Sequence, residues 1–117
     1  MSNSSIKKKI IHKLILLIKN IPFNWAMKLR VLLYRQLFIN LGKFSNITDS
    51  VTITAPEKIS FGERVSIHQY SIVDGVGGIQ VGDNVAIGSH CCLVTSSHIF
   101  TDKNKNIKDQ GLDLKKI

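Results

Sequence analysis

The sequence predicts a mainly β body, a parallel β-helix of a little over two coils over residues 44–117, preceded by a helical arm over residues 1–43. Three observations carry that prediction. From residue 47 onward aliphatic residues recur at six-residue steps, and the whole pattern repeats after twenty residues. Before it, apolar residues recur at three and four, the spacing of helix faces.

The arm comes first. Ile10, Leu14 and Leu17, with Ile11, Ile15 and Ile18, predict a helix near residues 6–19 that Pro22 closes. Asn24 suits the N-cap of a second helix, in which Trp25, Leu29 and Leu32, with Leu33 and Leu37, fall on a shared face and Gly42 is the stop. Residues 1–48 hold nine Lys or Arg and no acid, whereas the remainder holds seven bases and eight acids. The net charge of +8 is therefore the arm's property. A basic amphipathic arm suits an anionic neighbour, with a membrane surface meeting residues 6–19 as the expected one, or else presents a solvated face while the helices, the second above all, cover an end or side of the body. Nucleic acid is not expected as a partner, because no recognised motif or interleaved aromatics accompany the charge. Lys7, Lys8 and Lys9 ahead of Leu14–Ile18 superficially resemble a secretory signal, but His12 and Lys13 break the apolar run and no small-residue cleavage site follows. Five uninterrupted apolar residues also fall short of the roughly 20 that span a bilayer.

The body follows. Ile47, Ile53, Phe61, Ile67, Val73, Val81, Ile87 and Leu93 lead successive hexads, and the two eight-residue steps, after Ile53 and after Val73, fall at the same place in successive units. Each twenty-residue unit is thus three hexads plus a two-residue insertion. Small or apolar residues sit four places after many leaders: Val51, Val65, Ser71, Val85, Cys91 and Ser97. A coil of three flat strands explains this, since each strand points one aliphatic inward and stacked coils align like residues in ladders. Gly62, Gly82, Asp83 and Asn84 are residue types that tolerate corners. Helical patterns, which a doubly wound sheet would need between its strands, are missing from residues 44–98, and simple hairpins would not keep a six-residue step. Cys91 and Cys92 are neighbours on a strand, so they point apart and do not read as a disulfide; a reducing cytoplasm is the expected compartment.

The hexads Val81-Gly82-Asp83-Asn84-Val85-Ala86 and Ile87-Gly88-Ser89-His90-Cys91-Cys92 resemble those of the hexapeptide-repeat transferases. Residues 76–85 leading into Thr95-Ser96-Ser97-His98 are similar to the sugar and polysaccharide O-acetyltransferases of the maltose and galactoside acetyltransferase type. The resemblance covers roughly residues 41–112. It implies a left-handed coil, a homotrimer with sites between subunits, acetyl-CoA as donor, a sugar or polysaccharide acceptor, and work in the cytoplasm, at or near the inner face of the membrane. It also implies His98 as the base that takes the proton from the attacking hydroxyl, with no metal. His68 lies near where the family holds substrate with an asparagine, and Asp74 starts an inserted corner where a sugar hydroxyl could be met; both are carried as substrate contacts. The residues that hold acetyl-CoA are not assigned by the motif. His90 reads as a corner residue and the two cysteines as small fillers.

Two other readings stand beside this one. Three histidines, His68, His90 and His98, invite comparison with zinc hydrolases of the same fold, but their spacing does not match that family's ligand pair. Family members also continue past the catalytic loop with further hexads that build the CoA groove. Leu112–Ile117 would lead into such a coil, so a shortened chain is expected, with an open strand edge, poor CoA binding and slow or no turnover. An inactive fragment, or a non-catalytic scaffold that binds a membrane surface, is then the alternative.

Overall fold

The computed structural model describes residues 3–117, with side chains described from Ser5 onward. Helix α1 (Asn3–Ile18) and helix α2 (Asn24–Arg35) precede nine short strands: β1 (Asn40–Leu41), β2 (Asn46–Ile47), β3 (Thr52–Thr54), β4 (Ile59–Phe61), β5 (Ser66–Ile67), β6 (Ile72–Asp74), β7 (Ile79–Val81), β8 (Ala86–Ile87) and β9 (Cys92–Val94). A hairpin of β10 (Ser96–His98) and β11 (Leu112–Leu114) ends the chain. Helix and strand take near-equal shares, so the described chain is mixed rather than mainly β.

The strands form three parallel sheets, ordered β1-β4-β7, β2-β5-β8 and β3-β6-β9. Every pairing keeps the register read from the sequence: Leu41 lies beside Phe61, Ile47 beside Ile67, Val73 beside Leu93 and Ile79 beside Ile59. Three parallel sheets visited in rotation fit a β-helix-like fold. The leaders fill its core, with Ile47, Phe61, Ile67 and Val73 all within 1% of complete burial. Val51, Val65 and Ser71 are buried with them. Ser97 is not; it lies exposed on β10, where the chain has already left the stack.

The corners carry a regularity of their own. Phe44, Arg64 and Asn84 have φ of 63°, 56° and 60°, and Ser50, Tyr70 and His90 have 59°, 63° and 58°. Two columns of left-handed residues thus run up the body, each repeating every twenty residues. The predicted corner glycines do something different. Neither Gly62 nor Gly82 has a positive φ, whereas Asn84 does. Gly42 and Gly62 instead let successive coils touch: a Cβ on Gly42 would collide with the Gly62 carbonyl, and one on Gly62 with the Asp83 carboxylate. Gly42 is therefore a stacking residue, not the helix stop, and α2 ends seven residues earlier, at Arg35.

The helices cover one end of the body. Asn24 is the first helical residue, and the N-cap position falls on Phe23, one residue earlier, without a side-chain cap. Ala26, Arg30, Val31, Leu33 and Tyr34 face inward, followed by Leu37 and Phe38. Phe38 meets Phe61 edge-on at 5.1 Å, closing the bottom of the ladder. Trp25, Leu29 and Leu32, predicted to share the face of Leu33 and Leu37, lie on the exposed side, opposite the stripe of Ala26, Arg30 and Tyr34 that is buried. Helix α1 behaves likewise: Ile11 and Ile15 are buried, while Ile10, Leu14 and Leu17 are exposed.

Candidate active site

The region around His98 is anchored by hydroxyls. After β9 the chain turns out of the stack at Thr95, which is 3% exposed. Its Oγ1 donates to the Asp74 carbonyl (2.8 Å) and accepts from the Gly77 amide (2.7 Å), and its own carbonyl accepts from the Lys115 amide. Ser45 and Ser71 work in the same way lower down. Each buried hydroxyl donates to a glycine carbonyl, of Gly62 and Gly88, and accepts from the amide one coil on, of Val65 and Cys91. A buried hydroxyl with both roles filled offsets its desolvation with internal hydrogen bonds and ties one coil to the next.

Asp74 ends β6 and sits directly beneath this exit. Its Oδ1 accepts from the Val76 amide (3.1 Å) and its Oδ2 from the Ser96 hydroxyl (2.9 Å). Residues two apart on a strand point to the same side. The His98 imidazole therefore projects from the same side of β10 as the Ser96 hydroxyl, about 6.6 Å further along. The structure thus bonds Asp74 to Ser96, two residues before His98 on the same strand.

His98 is exposed, its backbone is paired with Leu112, and its side chain makes no hydrogen bond among the described residues. Such an imidazole has a nitrogen open to accept a proton from an incoming hydroxyl. His68 is placed elsewhere. It follows β5, its amide donates to the Ile87 carbonyl, and it is exposed near the corner of Tyr70, not the corner from which β10 departs. His90 stacks on Tyr70 at 5.1 Å. The three histidines are not gathered together, and no group of three residues able to hold a metal ion occurs among the described residues. Cys91 and Cys92 are both free thiols.

Thr95, Ser96 and Asp74 act together, which the sequence reading did not anticipate. The signal was present as a spacing: 95 and 96 follow 74 by one coil plus one and two residues, which puts them across the same corner.

The segment after His98 leaves the stack and returns. The Ile117 amide donates to Gly78 and its carbonyl accepts from Gln80, so the chain comes back to the edge of β7 after an excursion that begins at His98. Two clefts, of about 160 and 310 Å³, lie where the helices meet the coil, the first lined by Tyr34, Lys19 and Val51 and the second by Lys28, Leu32 and Asn46. Neither includes His98.

Comparison with known proteins gives one significant likeness. Over 75 residues, 63% of this chain, the sequence is 29% identical to a Mycobacterium tuberculosis protein described as a probable acetyltransferase. The match spans about a quarter of that relative's length. No family model matches the chain, and no solved structure does.

Proposed function

We propose that this chain contributes left-handed hexapeptide-repeat coils to an O-acyltransferase that moves an acetyl group from acetyl-CoA to a sugar hydroxyl of a cell-surface polysaccharide or its precursor. The observation that carries the reading is the exposed His98 imidazole held at the rim of a twenty-residue parallel stack. The likeness to a protein described as an acetyltransferase supports acyl transfer in general.

In this mechanism the acceptor hydroxyl gives its proton to His98 as its oxygen attacks the thioester carbon; the C–O bond forms, the C–S bond breaks, and the CoA thiolate takes up the proton. A base so placed contributes about 10²–10⁴-fold. Asp74 and Thr95 fix the root of β10, and the carboxylate lone pairs that Ser96 and Val76 leave open accept from a second acceptor hydroxyl. His68 lies at another corner, so it reaches a sugar only where a neighbouring subunit of a homotrimer presents it. The cytoplasm is the proposed location, with free Cys91 and Cys92 in keeping with a reducing compartment.

The test is made in the producing cell. His98→Ala should reduce the O-acetyl content of the surface polysaccharide at least 100-fold, with the protein still present at its normal level. Unchanged O-acetylation would sink the proposal. It would favour a second reading, a non-catalytic scaffold that binds a membrane surface, which the exposed Trp25, Leu29 and Leu32 on the helical arm support.

A further inference from the structure

The helical end of the molecule carries apolar surface that the fold does not use. On α1, Ile6, Ile10, Leu14 and Leu17 are 45%, 53%, 44% and 75% exposed. At about 100° per residue they fall within one arc of roughly 80°. Lys9 and Lys13 border that arc on one side and Lys7 on the other. On α2, Trp25, Leu29 and Leu32 form a second exposed stripe, bordered by Lys28 and Arg35, and Phe23 in the connection between the helices is 62% exposed. The opposite stripes of both helices are already buried against the coil and each other. Folding therefore does not account for the outer ones.

From this geometry we infer that the helix pair is a docking surface for an anionic lipid bilayer, lying in its headgroup layer with both apolar stripes immersed. Charge decides between a bilayer and a second copy of the chain. Residues 1–48 hold no acid, so a symmetric contact through these stripes would set bordering bases such as Lys7, Lys13 and Lys28 against the same bases of the other copy. An anionic surface removes that repulsion. The composition of the stripes points the same way: aliphatics and aromatics flanked by lysines are what an interfacial helix needs, and Trp favours the headgroup level. Among the described residues no helix is long and apolar enough to cross a membrane, so immersion is along the surface. The inference stands apart from acyl transfer, since none of these residues touches the His98 region.

Trp25 is the only tryptophan in the chain and reports the contact directly. Vesicles of phosphatidylcholine with 30% phosphatidylglycerol (about one anionic lipid in three) should shift its emission to the blue, and brominated acyl chains should quench it. Pure phosphatidylcholine vesicles should bind at least 10-fold more weakly, and raising salt to about 0.5 M should weaken binding to the anionic vesicles similarly. Leu17→Glu with Leu32→Glu, both at exposed positions, should abolish binding while leaving the circular dichroism spectrum and unfolding midpoint unchanged. His98→Ala should bind vesicles like the parent, which separates this test from that of catalysis. An unshifted Trp25, equal binding to neutral vesicles, or full binding by the double variant would each overturn the inference. So would a dimer that the double variant dissolves, in a chain that ignores vesicles.

Discussion

Arg30 ties three segments with one side chain. Its Nε donates to the Ile47 carbonyl (3.2 Å), and its Nη1 to the carbonyls of Ile18 (2.9 Å) and Ile21 (2.7 Å). The end of α1, the connection after it and the first coil are thereby held to α2. Burial pulls its pKa below the ordinary guanidinium value, against the favourable field of Asp49, and its Nη2 finds no partner. Arg30→Met should cost roughly 3 kcal/mol or more, since three carbonyls lose their donor. Arg30→Lys should recover only part, because an ammonium cannot reproduce the guanidinium fork; urea unfolding midpoints would measure both. Tyr34, beside it, has its phenol pushed up to about 12 by burial, with Arg30 opposing. A raised folded value means the native state keeps a proton that the unfolded chain releases. The contribution is therefore complete below about pH 10 and disappears as pH climbs to about 12, amounting to roughly 2–3 kcal/mol. Tyr34→Phe should flatten that alkaline decline in a pH series of unfolding curves. Composition placed Arg30 with the solvated bases of the arm, and no periodicity distinguishes a buried arginine from an exposed one.

At the scale of the strand and its corner, glycines separate by neighbour and not by type. Gly62→Ala should destabilise by about 1–3 kcal/mol, because the new Cβ meets the Asp83 carboxylate and lies 2.8 Å from the Gly82 carbonyl carbon. It would also disturb the 2.7 Å bond from the Glu63 amide to Asp83. Gly82→Ala, with nothing within 4 Å of its Cβ, should be close to neutral. Thermal midpoints of the two variants would test the contrast, and equal losses would refute it. Both positions look alike in sequence, one repeat apart. What differs is the next coil: Gly62 has one packed above it in the form of Gly82 and Asp83, and Gly82 does not. Strand registers, by contrast, were readable residue by residue, because a period of twenty leaves Ile47, Ile67 and Ile87 one alignment in which all are buried.

At the scale of the whole molecule, the two corners that hold His68 and His98 are the central feature. In the proposed homotrimer, a site using both would be shared between subunits. Cells producing a mixture of His68→Ala and His98→Ala chains should regain about a quarter of the parental O-acetylation, the fraction of contacts in a mixed ring that pair two intact histidines. Each variant alone should show almost none, and no recovery in the mixture would rule out a shared site.

Spacing alone was enough to specify the stack, because a ladder of aliphatics can be buried in only one register and the hexads state that register outright. The family resemblance, not the spacing, supplied His98, and the inserted corner supplied Asp74; the bond from Ser96 to Asp74 depends on how two coils overlie at that corner. Which stripe of each amphipathic helix turns inward was settled only by folding. Each helix buries a single face, and two apolar stripes carry nothing in their own pattern to say which one packing will take.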